Sequence, residues 1–194
     1  MLDTHARKYV SPFIESGANF FIKLKLSAND VTTLALILGI ISSIFLYFYK
    51  NVLAVAILWT SGYLDAVDGA IARKTSTSSS FGTVLDITFD RVVEIGIIIV
   101  IGLKFADTRF SLIVLLASIL LSMVIFLTVG AVSEKNGVKS FYYQAGMAER
   151  SEGFIMFSLI MLSQNYVNII INIFSIIILI TAFQRIYEAK KILK

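Results

Sequence analysis

The chain has 194 residues, 57% of them apolar and only 15% charged, against about 45–50% and about 25% in an ordinary soluble domain. With a mean hydropathy of +0.84, that balance excludes a soluble enzyme and describes a chain living mostly in lipid. There is no cysteine, and His5 and Pro12 are the only residues of their kinds, so disulfide scaffolds, thiolate metal sites, thiol catalysis and histidine catalysis within the membrane are excluded too.

In chain order, the first element is amphipathic. Val10, Phe13, Ile14, Gly17, Phe20, Phe21 and Leu24 recur at helical spacing between Arg7-Lys8 and Lys23 to Lys25. Ser11-Pro12 is the expected helix start, because proline suits the first helical position. This segment is predicted to lie on the membrane surface, with a short disordered tail as the plainer alternative. It lacks a continuous apolar core, so no cleavable signal peptide is expected. Residues 1–30 are therefore read as a juxtamembrane segment and residues 31–194 as a six-helix domain.

A spanning helix needs about 20 mostly apolar residues. Six runs are predicted: Val31–Tyr49, Val52–Arg73, Gly82–Phe105, Arg109–Val132, Met147–Leu162 and Tyr166–Tyr187. The fold class is thus an all-α integral membrane protein with six transmembrane helices behind an interfacial one. Six spans put both termini on one side. That side receives Arg7, Lys8, Lys23, Lys25, Arg73, Lys74, Lys135, Lys139, Arg185, Lys190, Lys191 and Lys194, and the other only Lys50, Lys104 and Arg109. The net charge of +4 is accordingly an orientation signal and not a nucleic-acid one, with both termini expected in the cytosol.

Five acidic residues, Asp65, Asp68, Asp86, Asp90 and Glu94, fall within the second and third spans. A carboxylate at the bilayer centre costs about 2.5–3.5 kcal/mol on insertion scales, so such groups face a polar interior and are functional by default. Asp65 and Asp68 are three apart and share one helix face; Gly82, Asp86 and Asp90 recur every four residues and form one stripe, which Glu94 extends. Two neighbouring antiparallel helices can set these stripes opposite each other. Hard oxygen donors in that number suit Mg²⁺ or Mn²⁺, as one ion or as a pair. Gly69 and Ala72 leave room for a phosphate-bearing ligand, and Arg73 can hold a phosphate oxygen. At 1.5 Å per residue Asp68 lies about 8 Å from Arg73, which puts the site in the cytosolic half. Other readings of the cluster are a helix-packing device and an ion or proton path. Arg91 and Glu94 are spaced to pair with one another.

The run Asp65-Ala-Val-Asp68-Gly69-Ala-Ile-Ala72-Arg73, then Gly82, Asp86 and Asp90, fills every position of the pattern D-x2-D-G-x2-A-R-x8-G-x3-D-x3-D. It resembles the CDP-alcohol phosphotransferase family, and the six-helix layout is also that family's. The resemblance implies an enzyme that cleaves the pyrophosphate of a CDP-linked substrate, transfers a substituted phosphoryl group to a hydroxyl and releases CMP. It assigns metal binding to Asp65, Asp68 and Asp86. Asp90 becomes the general base, with reach to a second ion, and Gly69, Ala72, Arg73 and Gly82 surround the nucleotide. Many members carry Pro-Asn-x-x-Thr at the first span; here Ala28-Asn29-Asp30-Val31-Thr32 keeps Asn29 and Thr32 but not the proline. These two either line the nucleotide site or cap the helix.

The size and span number are similar to prokaryotic phosphatidyltransferases, which implies CDP-diacylglycerol, or an archaeal ether analogue, as donor in a plasma membrane. The acceptor is expected to be anionic, because Lys135, Lys139, Arg150 and Arg185 could converge above the metal site. Ala148-Glu149-Arg150-Ser151-Glu152 resembles a Glu-Arg-x-Glu stretch of inositol-phosphate-type members. Inositol phosphate, glycerol 3-phosphate and a lipid such as phosphatidylglycerol stay open as acceptors. Outside the enzyme class, the alternative is an intramembrane ion or proton carrier. Family members are commonly homodimers, and a homodimer among membrane lipids is the expectation.

Overall fold

A computed structural model describes residues 2–133, 150–163 and 165–193, with side chains from residue 10 onward. Every regular element among them is helical: α1 Leu2–Lys23, α2 Ala28–Tyr47, α3 Asn51–Lys74, α4 Ser80–Lys104, a 3₁₀ turn Ala106–Thr108, α5 Arg109–Val132, α6 Arg150–Leu162 and α7 Val167–Ile192. The chain divides into two compact units, His5–Lys104 and Phe105–Lys194 with Met1–Thr4.

Helices α2, α3, the stretch Ala106–Val132 and α7 are long and apolar enough to cross a membrane. Among the described residues, four of the six expected spans thus qualify on length and composition. Helix α4 has 25 residues, about 37 Å at helical rise, but Asp86, Asp90, Arg91 and Glu94 interrupt its apolar character. The described part of α6 has 13 residues, about 20 Å, which falls short of a hydrocarbon core of about 30 Å.

In the first unit, α1 differs from the sequence expectation. It begins at Leu2 and carries Pro12 in its interior, where Ser11-Pro12 was expected to open it. Proline forfeits one i→i−4 hydrogen bond, and the turns on either side carry the helix through. Helix α1 lies along α3. Tyr63 donates its hydroxyl to the Phe13 carbonyl at 3.0 Å, and the Lys74 ammonium donates to Asn19 Oδ1 at 2.9 Å and pairs with Glu15 at 3.6 Å. Gly17 faces Tyr63 and Val67 so closely that any side chain there would collide. Ala18 joins Val31, Ala35, Leu64, Val67, Ala70 and Ile71 in the core, with Ile14, Phe21 and Ile22 against it. Val10, Phe13, Phe20 and Leu24 stay exposed and form a second apolar strip on the same helix.

Helix α2 packs on both α3 and α4. Helices in lipid gain little from burying apolar surface, so they associate through close packing and interhelical hydrogen bonds. Both devices are present. Ser61 donates to the Ala35 carbonyl and Ser42 to the Ala54 carbonyl, each at 2.7 Å and buried. Toward α4, Gly39 lies directly against Val93, and a Cβ on Gly96 would stand 2.8 Å from Ser43 Oγ. Three helices end on a non-glycine residue with positive φ: Lys25 (59°), Tyr49 (60°) and Ser76 (55°). Each end closes with the same pair of bonds, for example Thr77 N–H to the Ala72 carbonyl and Ser76 N–H to the Arg73 carbonyl, which satisfy carbonyls the helix leaves open. At the far end of α4, Lys104 donates to the Leu46 carbonyl at 2.8 Å and lies 3.9 Å over the Tyr49 ring.

In the second unit, α7 packs on α5 and α6. Phe157 and Phe174 meet edge to face at 5.3 Å, and Ser111 hydrogen-bonds Asn168. Large apolar side chains on the outside, such as Phe110 and Phe183, suit helices whose surroundings are lipid.

Candidate metal centre

The site grows from the two ends of one connection. Helix α3 carries Asp65 and Asp68 toward its C-terminus, and α4 carries Asp86 just inside its N-terminus. The turn between them is the hydroxyl-rich run Thr75 to Ser79. Ser79 accepts the Gly82 N–H at 3.0 Å and ties off the first turn of α4. Asp65, Asp68 and Asp86 each present a carboxylate oxygen, all within 4.8 Å of one another. An ion with oxygen distances of about 2.1–2.6 Å bridges donors up to about 4.2–5.2 Å apart, so one divalent cation fits this group.

Burial strengthens the fit. Asp65 and Asp68 are buried, 8% and 6% exposed, and Asp86 is half-buried. Asp68 Oδ2 is shut away from solvent and accepts no hydrogen bond. A buried acceptor left without a donor costs about 1–3 kcal/mol, more when charged. A cation supplies what the orphaned oxygen lacks. Clustered carboxylates also repel one another in a weakly polar setting, and two positive charges among them relieve that.

Of the four predicted metal ligands, the structure brings these three together. Asp90 lies one turn further along α4, outside the trio, where Arg91, Glu94, Asp86 and Asp68 are its charged neighbours. The residues expected at the nucleotide gather on the same unit. The Arg73 guanidinium lies back over Gly69, 3.2 Å from where a Cβ would stand. Ala72 is half-buried one residue before it. Gly82 has Ser79 Oγ and Asn29 Oδ1 at 3.3 and 3.4 Å from a Cβ position. Thr32 is buried beside Asp68, its hydroxyl donating to the Ala28 carbonyl at 2.9 Å.

The capping alternative for Asn29 and Thr32 is overturned. Ser27 and Asp30 cap α2 reciprocally: the Asp30 carboxylate accepts the Ser27 N–H at 2.9 Å, and Ser27 Oγ accepts the Asp30 N–H at 3.2 Å. Asn29 and Thr32 are thereby left for Gly82 and Asp68. Ser79 was not anticipated; its position three residues before Gly82 is an N-capping spacing and was the available signal.

The expected acceptor residues divide. Lys135 and Lys139 lie outside the described residues. Arg150 opens α6 in the second unit, 5.8 Å over the Phe154 ring. Arg185 on α7 is buried and donates to the Ser122 carbonyl and hydroxyl on α5 at 3.2 and 3.0 Å. It also stacks 4.9 Å over Phe126.

Comparison with known proteins gives this geometry a context. The sequence pattern of the family described as CDP-alcohol phosphatidyltransferase matches residues 25–184. The chain is 33% identical to an archaetidylinositol phosphate synthase of Pyrococcus horikoshii over 188 residues, 95% of each protein. In fold it is similar to the phosphatidylinositol phosphate synthase PgsA1 of Mycobacterium tuberculosis in two crystal structures. One, in complex with manganese and citrate, gives a TM-score of 0.73 at 19% identity over 91% of this chain and 88% of that one. The other, with CDP-DAG bound, gives 0.72 at 19% identity over 91% and 92%. A match spanning most of the chain, with all eight signature residues filled, decides for a transferase over an ion or proton carrier: this integral membrane protein belongs to the CDP-alcohol phosphatidyltransferase family.

Proposed function

We propose that the chain transfers a phosphatidyl-type group from CDP-diacylglycerol, or an archaeal ether analogue, to a hydroxyl of inositol phosphate and releases CMP. The observation that carries this reading is the Asp65, Asp68 and Asp86 group with its orphaned carboxylate oxygen. The long match to an archaetidylinositol phosphate synthase supports the acceptor, and the manganese and CDP-DAG complexes of PgsA1 support the metal and the donor.

Asp65, Asp68 and Asp86 hold Mg²⁺ or Mn²⁺, and Asp90 reaches a second ion. Bound there, the metal neutralises the pyrophosphate and the departing CMP. Arg73 binds a donor phosphate oxygen, while Gly69, Ala72 and Gly82 let the nucleotide approach the backbone and Asn29 and Thr32 line it. Asp90 accepts the proton of the acceptor hydroxyl. The hydroxyl oxygen attacks the phosphorus that carries the lipid, a new P–O bond forms, and the P–O bond to CMP breaks. Arg150 and Arg185, with Lys135 and Lys139, bind the acceptor phosphate. In this reading α4 and α6 complete six spans, and the exposed strip of α1 rests in the membrane surface. Both termini face the cytosol of a plasma-membrane homodimer, with the site in the cytosolic half.

The test is CMP release by the purified full chain with Mn²⁺, CDP-diacylglycerol or its ether analogue, and a panel of inositol phosphate, glycerol 3-phosphate and phosphatidylglycerol. Release with inositol phosphate is expected. Release with another acceptor alone reassigns the substrate, and no release with any acceptor refutes the reading.

A further inference from the structure

One cation flanks the α4 stripe. Arg91 follows Asp90 directly and acts electrostatically on both Asp86 and Asp90. Its guanidinium does not rest on either. Arg91 Nη1 pairs with Glu94 Oε2 at 2.6 Å, one turn further from the trio, with 33% and 23% of the two side chains exposed. The Arg91 Nε is buried and donates to nothing.

A guanidinium is a planar fork with five donors, and it matches a carboxylate in two bonds at once. Untethered, the Arg91 side chain would swing back along the helix to Asp86, on which its charge already acts, and stand where a divalent ion must bind. Glu94 lies at i+3 from Arg91, the spacing at which helix side chains meet. It is also long enough to reach back to the guanidinium. Its charge is then spent on Arg91 and not on the metal.

We propose that Glu94 is a positioning residue, which holds the Arg91 guanidinium off Asp86 and so keeps that carboxylate for the cation. This rests on the metal reading above and adds to it a role for a pair outside the eight signature residues.

The probe is Mn²⁺ alone, titrated into the purified full chain in detergent and followed by the electron-paramagnetic-resonance signal of free ion, with no substrate present. Glu94→Gln is expected to weaken Mn²⁺ binding about tenfold, the lower end of what partners behind a metal site typically contribute. Arg91→Gln combined with Glu94→Gln removes the competitor with its tether and should return the affinity to the wild-type value. Glu94→Asp keeps the charge and shortens the reach, so it should weaken binding to an intermediate degree. If Glu94→Gln does not fold, the other two variants carry the test.

Unchanged affinity in Glu94→Gln overturns the proposal, as does a double variant as weak as the single one. Wild-type affinity in Glu94→Asp overturns it too, because charge alone would then explain the effect. A wild-type chain that binds no Mn²⁺ overturns the metal reading and this inference together, whereas binding indifferent to these variants overturns this inference alone.

Discussion

Gly39 of α2 lies directly against Val93 of α4, with the Val93 Cγ1 and Cβ atoms 2.8 and 3.0 Å from where a Gly39 Cβ would stand. Val93 sits between Asp90 and Glu94 in the sequence, so this contact sets how near the acidic stripe of α4 comes to the rest of the unit. Gly39→Ala should destabilise the protein by about 1–3 kcal/mol, the usual cost of overpacking. Val93→Ala added to it should recover much of that loss. Thermal unfolding of the detergent-solubilised variants measures both, and equal melting of Gly39→Ala and wild type would disprove the contact.

Asp68 is the member of the trio with an orphaned oxygen. Asp68→Asn should abolish the upward shift in melting temperature that Mn²⁺ gives, by removing one of the three carboxylates that would hold the ion. Without metal the same variant should melt higher than wild type, because one of three mutually repelling carboxylates is gone. A variant that still gains stability from Mn²⁺ as wild type does would remove Asp68 from the ligand set.

Asp90 stands outside the trio, so its loss should separate binding from chemistry. Asp90→Asn should keep Mn²⁺ binding at the trio and lose turnover by about 10²–10⁴-fold, the range for a general base. Wild-type kcat would eliminate the base role. The same attack geometry predicts inversion of configuration at phosphorus with a chiral phosphate donor; retention would indicate a covalent intermediate.

Arg150 and Arg185 should differ. Arg150→Ala should raise KM for inositol phosphate and leave KM for the donor near its wild-type value, the signature of a lost acceptor contact. Arg185 also bonds Ser122 and covers Phe126, so Arg185→Lys should lower the melting temperature as well as acceptor affinity, since an ammonium cannot reproduce the fork. Steady-state kinetics beside thermal unfolding distinguishes the two. An unchanged acceptor KM in Arg150→Ala would leave that arginine a structural role only.

Ser76 holds a φ of 55° at the end of α3. Ser76→Gly should stabilise the protein by up to about 1 kcal/mol, because glycine adopts this conformation without the steric cost a Cβ carries. A lower melting temperature would mean that the serine side chain outweighs the backbone strain.

Much of the site was legible from spacing alone. A helix puts i, i+3 and i+4 on one face whatever its surroundings, so Asp65 with Asp68, and Gly82 with Asp86 and Asp90, declared their stripes before any fold was known. The helical class followed from the apolar runs in the same way, but the six expected spans did not, since four of the described helices are long and apolar enough to cross. The start of α1 did not, because Pro12 marks a helix start only where the flanking turns cannot continue past it. Nor did the roles of Asn29 and Thr32. Ser27 and Asp30 sit at equally good capping positions, and only the observed bonds show which residues take that duty.

By itself, the sequence determined the residence in lipid, the helical class and the eight signature residues, since all of these depend on composition or on spacing along one chain. The tertiary structure decided which of four aspartates gather within 4.8 Å of one another and that Asn29 meets Gly82. It also decided that α1 is strapped to α3 through Tyr63 and Lys74, and that Arg91 is held by Glu94. Those are relations between separate elements or between side-chain ends, which depend on how closely helices approach and where each flexible side chain comes to rest.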